Sequence, residues 1–300
     1  MEWLTTPFEV TFVQRALWGG MLVSAICAPA GTWVVLRGMA FLGDAMSHGL
    51  LPGVALAALL GGNLMVGAVA SAAVMTAGVT ALGRTARLSQ DTGIGLLFVG
   101  MLSLGVIIVS RSQSFAVDLT GFLFGDVLAV TQRDLTVLAV ALCAALAVSV
   151  LGHRAFLALA FDPRKARTLG LRPRLAHAVL LGLLGLAIVA SFHIVGTLLV
   201  LGLLIAPPAA ALPWVRSVRG VMVLAALIGA AATFGGLLLS WHLSTAAGAT
   251  VAALAVSLFF LSHALSGLLR RRAGHAPARP SVPAVPAVPA PAEGSPRHTS

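Results

Sequence analysis

Long apolar runs separated by short polar stretches repeat along almost the whole chain. Each run is about 20 residues long, the helix length that crosses about 30 Å of hydrocarbon. The runs lie at 12–36, 41–62, 64–83, 92–110, 134–152, 175–191, 194–213, 220–240 and 246–268. They predict an all-α, polytopic membrane bundle of eight or nine transmembrane helices within residues 1–272. Pro29, Pro52, Pro207, Pro208 and many glycines interrupt the runs. Membrane helices tolerate such breaks when neighbours satisfy the freed backbone groups. The short pair flanking Ser191-Phe192-His193 reads either as two spans or as one broken helix, and that choice separates nine spans from eight.

Composition narrows the picture. Of 300 residues, 59% are hydrophobic and 9% charged, against about 25% charged in soluble domains, so no large extramembrane catalytic module fits. The N-terminus, Met1-Glu2-Trp3-Leu4, lacks a basic n-region and a small-residue cleavage site, so the first run is expected to stay as a span. Cys27 and Cys143 both sit inside apolar runs and read as small packing residues. A net charge of +10 suggests nucleic acid until the arginines are located. Arg37, Arg84, Arg87, Arg154, Arg164, Arg167, Arg172, Arg174, Arg216, Arg219 and Arg270 to Arg272 fall in or beside alternate connections, while the others carry mainly Arg111 and Arg133. The positive-inside rule makes the first set cytoplasmic. With nine spans the N-terminus is then outside and the C-terminus inside. From 273 to 300 the chain turns into an Ala/Pro-rich stretch that cannot build a core, expected to be a disordered cytoplasmic tail.

Two polar residues stand out within the second run. Asp44 and His48 are four apart, on one face if the segment is helical. A carboxylate in hydrocarbon needs a water path, a partner or an ion, and carboxylate with imidazole suits a first-row divalent cation. The alternative is that Asp44 caps a helix while His48 makes one interhelical hydrogen bond. His193, between two runs, is the second candidate for an ion path. Asp118 and Asp126 flank Gly121–Gly125 on the expected outer side, either as simple surface charge or as a cation-collecting, partner-receiving patch.

Lys165 is the only lysine, and it does not complete the Gly-x-x-x-x-Gly-Lys pattern of a phosphate-binding loop, so ATP hydrolysis by that route is excluded here. The basic connection Phe161-Asp162-Pro163-Arg164-Lys165-Ala166-Arg167-Thr168-Leu169-Gly170 carries helix-start and helix-stop signals. Ala166 and Leu169 share a face. So short a helix is marginal alone; it either rests on a partner's groove or is a loop anchored to headgroups.

Taken in order, these pieces resemble a known family. They are Arg37-Gly-Met-Ala-Phe-Leu-Gly-Asp44-Ala-Met-Ser-His48-Gly-Leu-Leu-Pro52, Asp91-Thr-Gly-Ile-Gly, Val117-Asp118-Leu-Thr-Gly-Phe-Leu-Phe-Gly125, Phe161-Asp162-Pro163 and Val195-Gly-Thr-Leu-Leu-Val-Leu-Gly-Leu-Leu-Ile-Ala-Pro207. The chain resembles, over about residues 10–265, the permease subunits of ABC importers for zinc, manganese or iron. The resemblance implies a homodimer on two ATPase subunits, fed by an extracellular or periplasmic metal-binding protein, in a bacterial cytoplasmic membrane. It implies that Phe161, Asp162, Pro163, Arg164, Ala166, Leu169 and Gly170 form the ATPase coupling helix, and that Asp44 and His48 lie on the ion path. Arg164 departs from the family, which often has an acid there, and Ala246-Ala247 stands where a proline is common.

One Asp and one His are too few ligands for a tetrahedral ion, and a two-fold axis would bring together two of each. No permanently bound cofactor, no catalytic residue and no nucleic-acid partner are expected; the metal is cargo. The affinity order among divalent ions leans toward zinc, with manganese and iron as alternatives. Rival readings are an ion-coupled secondary transporter using the pair as a proton relay, a permease for chelated metals, and an intramembrane metalloprotease; the last is opposed by the absence of a His-Glu-x-x-His motif.

Overall fold

The computed structural model describes residues 6–82, 89–110, 125, 127–161 and 173–273. Its helices are α1 (Thr11–Leu36), α2 (Ala40–Gly49), α3 (Leu51–Leu59), α4 (Leu64–Leu82), α5 (Gln90–Ser110), α6 (Gln132–Phe161), α7 (Pro173–Ala211), α8 (Val218–Leu243) and α9 (Ala247–Ala273), with short 3₁₀ turns at Thr6–Glu9 and Val127–Ala129. Among the described residues no strand occurs. Among the described residues, nine segments are long and apolar enough to cross a membrane, counting α2 with α3 as one and the two arms of α7 separately.

The question of one broken helix or two spans is decided within α7. Gly196 adopts φ 72°, ψ 164°, a backbone region essentially confined to glycine. The chain reverses there. Arg37, at the end of α1, bonds His177 in the first arm (Pro173–Phe192). In the second arm (Ile194–Ala211), Ile194 lies beside Gly19 and Leu204 beside Gly31. The first arm therefore climbs away from Arg37 and the second returns toward it. Gly125 packs directly on this turn, where a Cβ would overlap the backbone of Val195 and Gly196.

With nine alternating segments, the helix ends Leu36, Leu82, Phe161, Pro173, Ala211 and Val218 gather at one end of the bundle. The arginine-rich connections leave from that end. The positive-inside rule would make that end the cytoplasmic one.

α1 is the central helix. Val23, Ile26, Cys27, Ala30, Trp33 and Val34 are all buried, and α6, α7 and α8 surround it. Apolar residues gain little by leaving lipid for a helix interface, so close backbone approach and polar contacts hold such a bundle together. Gly31 sits against the carbonyl of Leu204, where a Cβ would overlap the oxygen. That carbonyl is free to be approached because Pro208, four residues on, has no N–H to offer it. The Ser24 and Thr233 hydroxyls stand 3.3 Å apart between α1 and α8, each also within reach of its own helix's carbonyl at Gly20 or Gly229, so one of them donates across while the other donates back.

Candidate functional site

Pro52 determines where the second span breaks. It cannot donate to the His48 carbonyl, so α2 stops at Gly49 and α3 begins at Leu51. Gly53 N–H instead donates to Ser71 Oγ of α4 at 2.9 Å. Gly53 and Gly67 face each other so closely that a Cβ on either would overlap the other's carbonyl. The break is thus fastened from outside, and it places His48 in the last turn of α2, at the negative end of that helix's dipole, which favours a cation. Broken membrane helices build ion sites in transporters by the same means.

Asp44 lies inside α2, whose N-cap is Met39; it is not a capping residue. His48 Nε2 stands 3.5 Å from Asp44 Oδ1, with the side chains 27% and 40% exposed respectively. Each neighbour occupies its own sector of α2. Phe98 of α5 packs against His48 and Phe41, with ring centroids 5.8 and 6.0 Å apart. Gly43 meets Leu204 and Leu201, Met46 meets Gly185, and Gly49 meets Met75. By helical spacing Asp44 falls between the Phe98 side and the Leu201 side, in a sector that none of these described neighbours fills. Ser47, in contrast, is buried and bonds back to the Gly43 carbonyl at 3.0 Å.

A carboxylate oxygen and an imidazole nitrogen 3.5 Å apart match the bite of about 3.4 Å that two ligands at about 2.1 Å subtend at a tetrahedral ion. They supply only half a coordination sphere. Among the described residues no group of three or more His, Cys, Asp or Glu side chains converges.

His193 lies at the turn between the arms of α7. Gly185, at the level of Met46, is eight residues away, about 12 Å along a helix. Phe161 is the last residue of α6. Asp162, Pro163, Arg164, Ala166, Leu169 and Gly170 lie outside the described residues, as do Asp118 and Asp126 and the tail beyond Ala273.

A second histidine pair was not foreseen. Arg37 Nη1 donates to His177 Nδ1 at 3.0 Å. Burial lowers the Arg37 pKa from its ordinary value, so an acceptor here has real worth to the guanidinium. Arg37 opens the polar motif that ends in His48, but nothing local pointed to a residue 140 positions away. Ser71 and Phe98 were also missed; the free N–H after Pro52 was the one available hint of the former.

The model of the ABC 3 transport family matches residues 9–266. A Haemophilus influenzae protein named "Probable iron transport system membrane protein" is 36% identical over 265 residues, covering 88% of this chain and 97% of that protein. A manganese transport system membrane protein of Halalkalibacterium halodurans is 34% identical over 264 residues, covering 87% and 90%. Among solved structures, PsaBC from Streptococcus pneumoniae in complex with Fab aligns with a TM-score of 0.77 at 31% identity, over 87% of this chain and 94% of that one.

Proposed function

The chain belongs to the ABC 3 transport family, a multi-pass membrane transport subunit and not an enzyme, and on that premise we propose that it carries a divalent transition metal inward past Asp44 and His48. Its relatives are named for iron and manganese, which moves the preferred cargo from zinc to those two. The ligand types accept all three.

The observation that carries this reading is the half-exposed Asp44–His48 pair at a helix break, with a metal-sized bite and an open sector beside it. A second copy across a two-fold axis supplies the missing two ligands. Four ligands that come together in only one conformation hold the ion without trapping it. The ATPase is a separate subunit, docked on the connection from Phe161 to Gly170 at the arginine-rich end. A metal-binding protein delivers cargo at the opposite end, where Asp118 and Asp126 are its candidate contacts.

Proteoliposomes holding the chain with its ATPase, assayed with radiolabelled manganese, iron and zinc, test this directly. ATP-dependent accumulation of manganese or iron above zinc is expected. Removing residues 161–170 abolishes it while leaving membrane insertion intact. Uptake without the ATPase, or undiminished uptake by the deletion variant, overturns the reading.

A further inference from the structure

Behind α2, on the side away from Asp44, an apolar groove of about 650 Å³ runs between α4 and the first arm of α7. Ala73, Thr76 and Thr80 line one wall, and Ala178, Gly182 and Gly185 the other. The Thr80 hydroxyl is spent on the Thr76 carbonyl at 2.7 Å. Met46 of α2 adjoins the Gly185 wall: its methyl carbon lies 3.2 Å from where a Cβ on Gly185 would stand. Since Asp44 and Met46 point to different sides of α2, a second copy facing Asp44 leaves this groove facing the bilayer. That step rests on the dimer reading above.

The groove has a charged mouth. Arg174 is one helical turn from Ala178, on the same face, and is exposed. Among the described residues it has no ion pair. It also sits in the first turn of α7, where a cation opposes the helix dipole and an anion is favoured. It lies at the arginine-rich end, which by the positive-inside rule meets the leaflet that holds anionic lipid.

We infer that this groove is a binding site for an anionic phospholipid, with one acyl chain lying along Gly182 and the headgroup phosphate on Arg174. The acyl chain fills a seam whose small residues leave it open, and the phosphate supplies a counter-charge that Arg174 does not find among the described residues. Because Gly185 in the groove wall also adjoins Met46, the bound lipid supports the rear of the helix that carries Asp44 and His48.

Native mass spectrometry of the purified full chain, offered phosphatidylglycerol or phosphatidylcholine with matched acyl chains, tests the site. Wild type should retain phosphatidylglycerol about fivefold better, the worth of one arginine near anionic lipid. Arg174→Gln should erase that preference and still hold lipid. Gly182→Leu should lose bound lipid of both kinds; a side chain there meets nothing within 4 Å, so the fold is not at risk. Equal retention of both lipids by wild type, or wild-type behaviour of either variant, overturns the inference. So does a disulfide-linked dimer through Gly182→Cys, which assigns the groove to a second copy. Cross-linking through Asp44→Cys reports on the dimer face separately, so loss of that reading and loss of the lipid site are told apart.

Discussion

Two histidines in this bundle each have a charged neighbour, and they do opposite things. His177 meets Arg37, a pure donor, at 3.0 Å; its Nδ1 lone pair must accept, which requires the Nε2–H tautomer. The pair is complete as it stands and straps the α1–α2 turn to the first arm of α7. His48 meets Asp44 at 3.5 Å, longer than a good hydrogen bond, and both side chains are partly exposed. On the reading proposed above, that pair is completed by a cation. Residue type does not separate a candidate ligand from a strap; the charge of the partner and the exposure of the face do.

The contrast predicts different failures. Asp44→Ala or His48→Ala should abolish metal uptake while the variant still co-purifies with the ATPase; uptake near wild type breaks the assignment. Arg37→Ala should lower stability by about 1.5–3 kcal/mol, the range for a hydrogen bond to a charged group, read as an earlier denaturation midpoint, without changing which metal is preferred. A changed metal preference would make the strap part of the path. Ser71→Ala, which leaves Gly53 N–H unmet at the break above His48, should cost about 1 kcal/mol and slow uptake modestly. His177→Gln, which keeps an acceptor for Arg37, should cost least, under about 1 kcal/mol; a loss as large as that of Arg37→Ala would show that ring packing, not the hydrogen bond, is what matters there.

Much of the fold was legible because hydrocarbon imposes its demand on each span separately. A run is apolar for about 20 residues or it does not cross, so the described spans lie close to the runs that foretold them. Asp44 and His48 were legible for the same reason, as polar exceptions at a helical interval, and Pro52 announced the break that follows them. The capping alternative for Asp44 fell only when α2 was seen to start at Ala40. Arg37 and His177 were opaque, since each alone looks like an ordinary end-of-span residue.

The sequence by itself determined the spans, the end at which the arginines gather, and the spacing that puts a carboxylate and an imidazole on one face. These are properties of single segments, set by backbone periodicity and the cost of charge in lipid. Only the tertiary structure decided that the chain reverses at Gly196, that Ser71 fastens the break, that Met46 packs beside Gly185 while Asp44 stays part-exposed, and that Arg37 is spoken for. Each of these depends on which remote helices come into contact, and side-chain packing between segments leaves no periodic mark on either one alone.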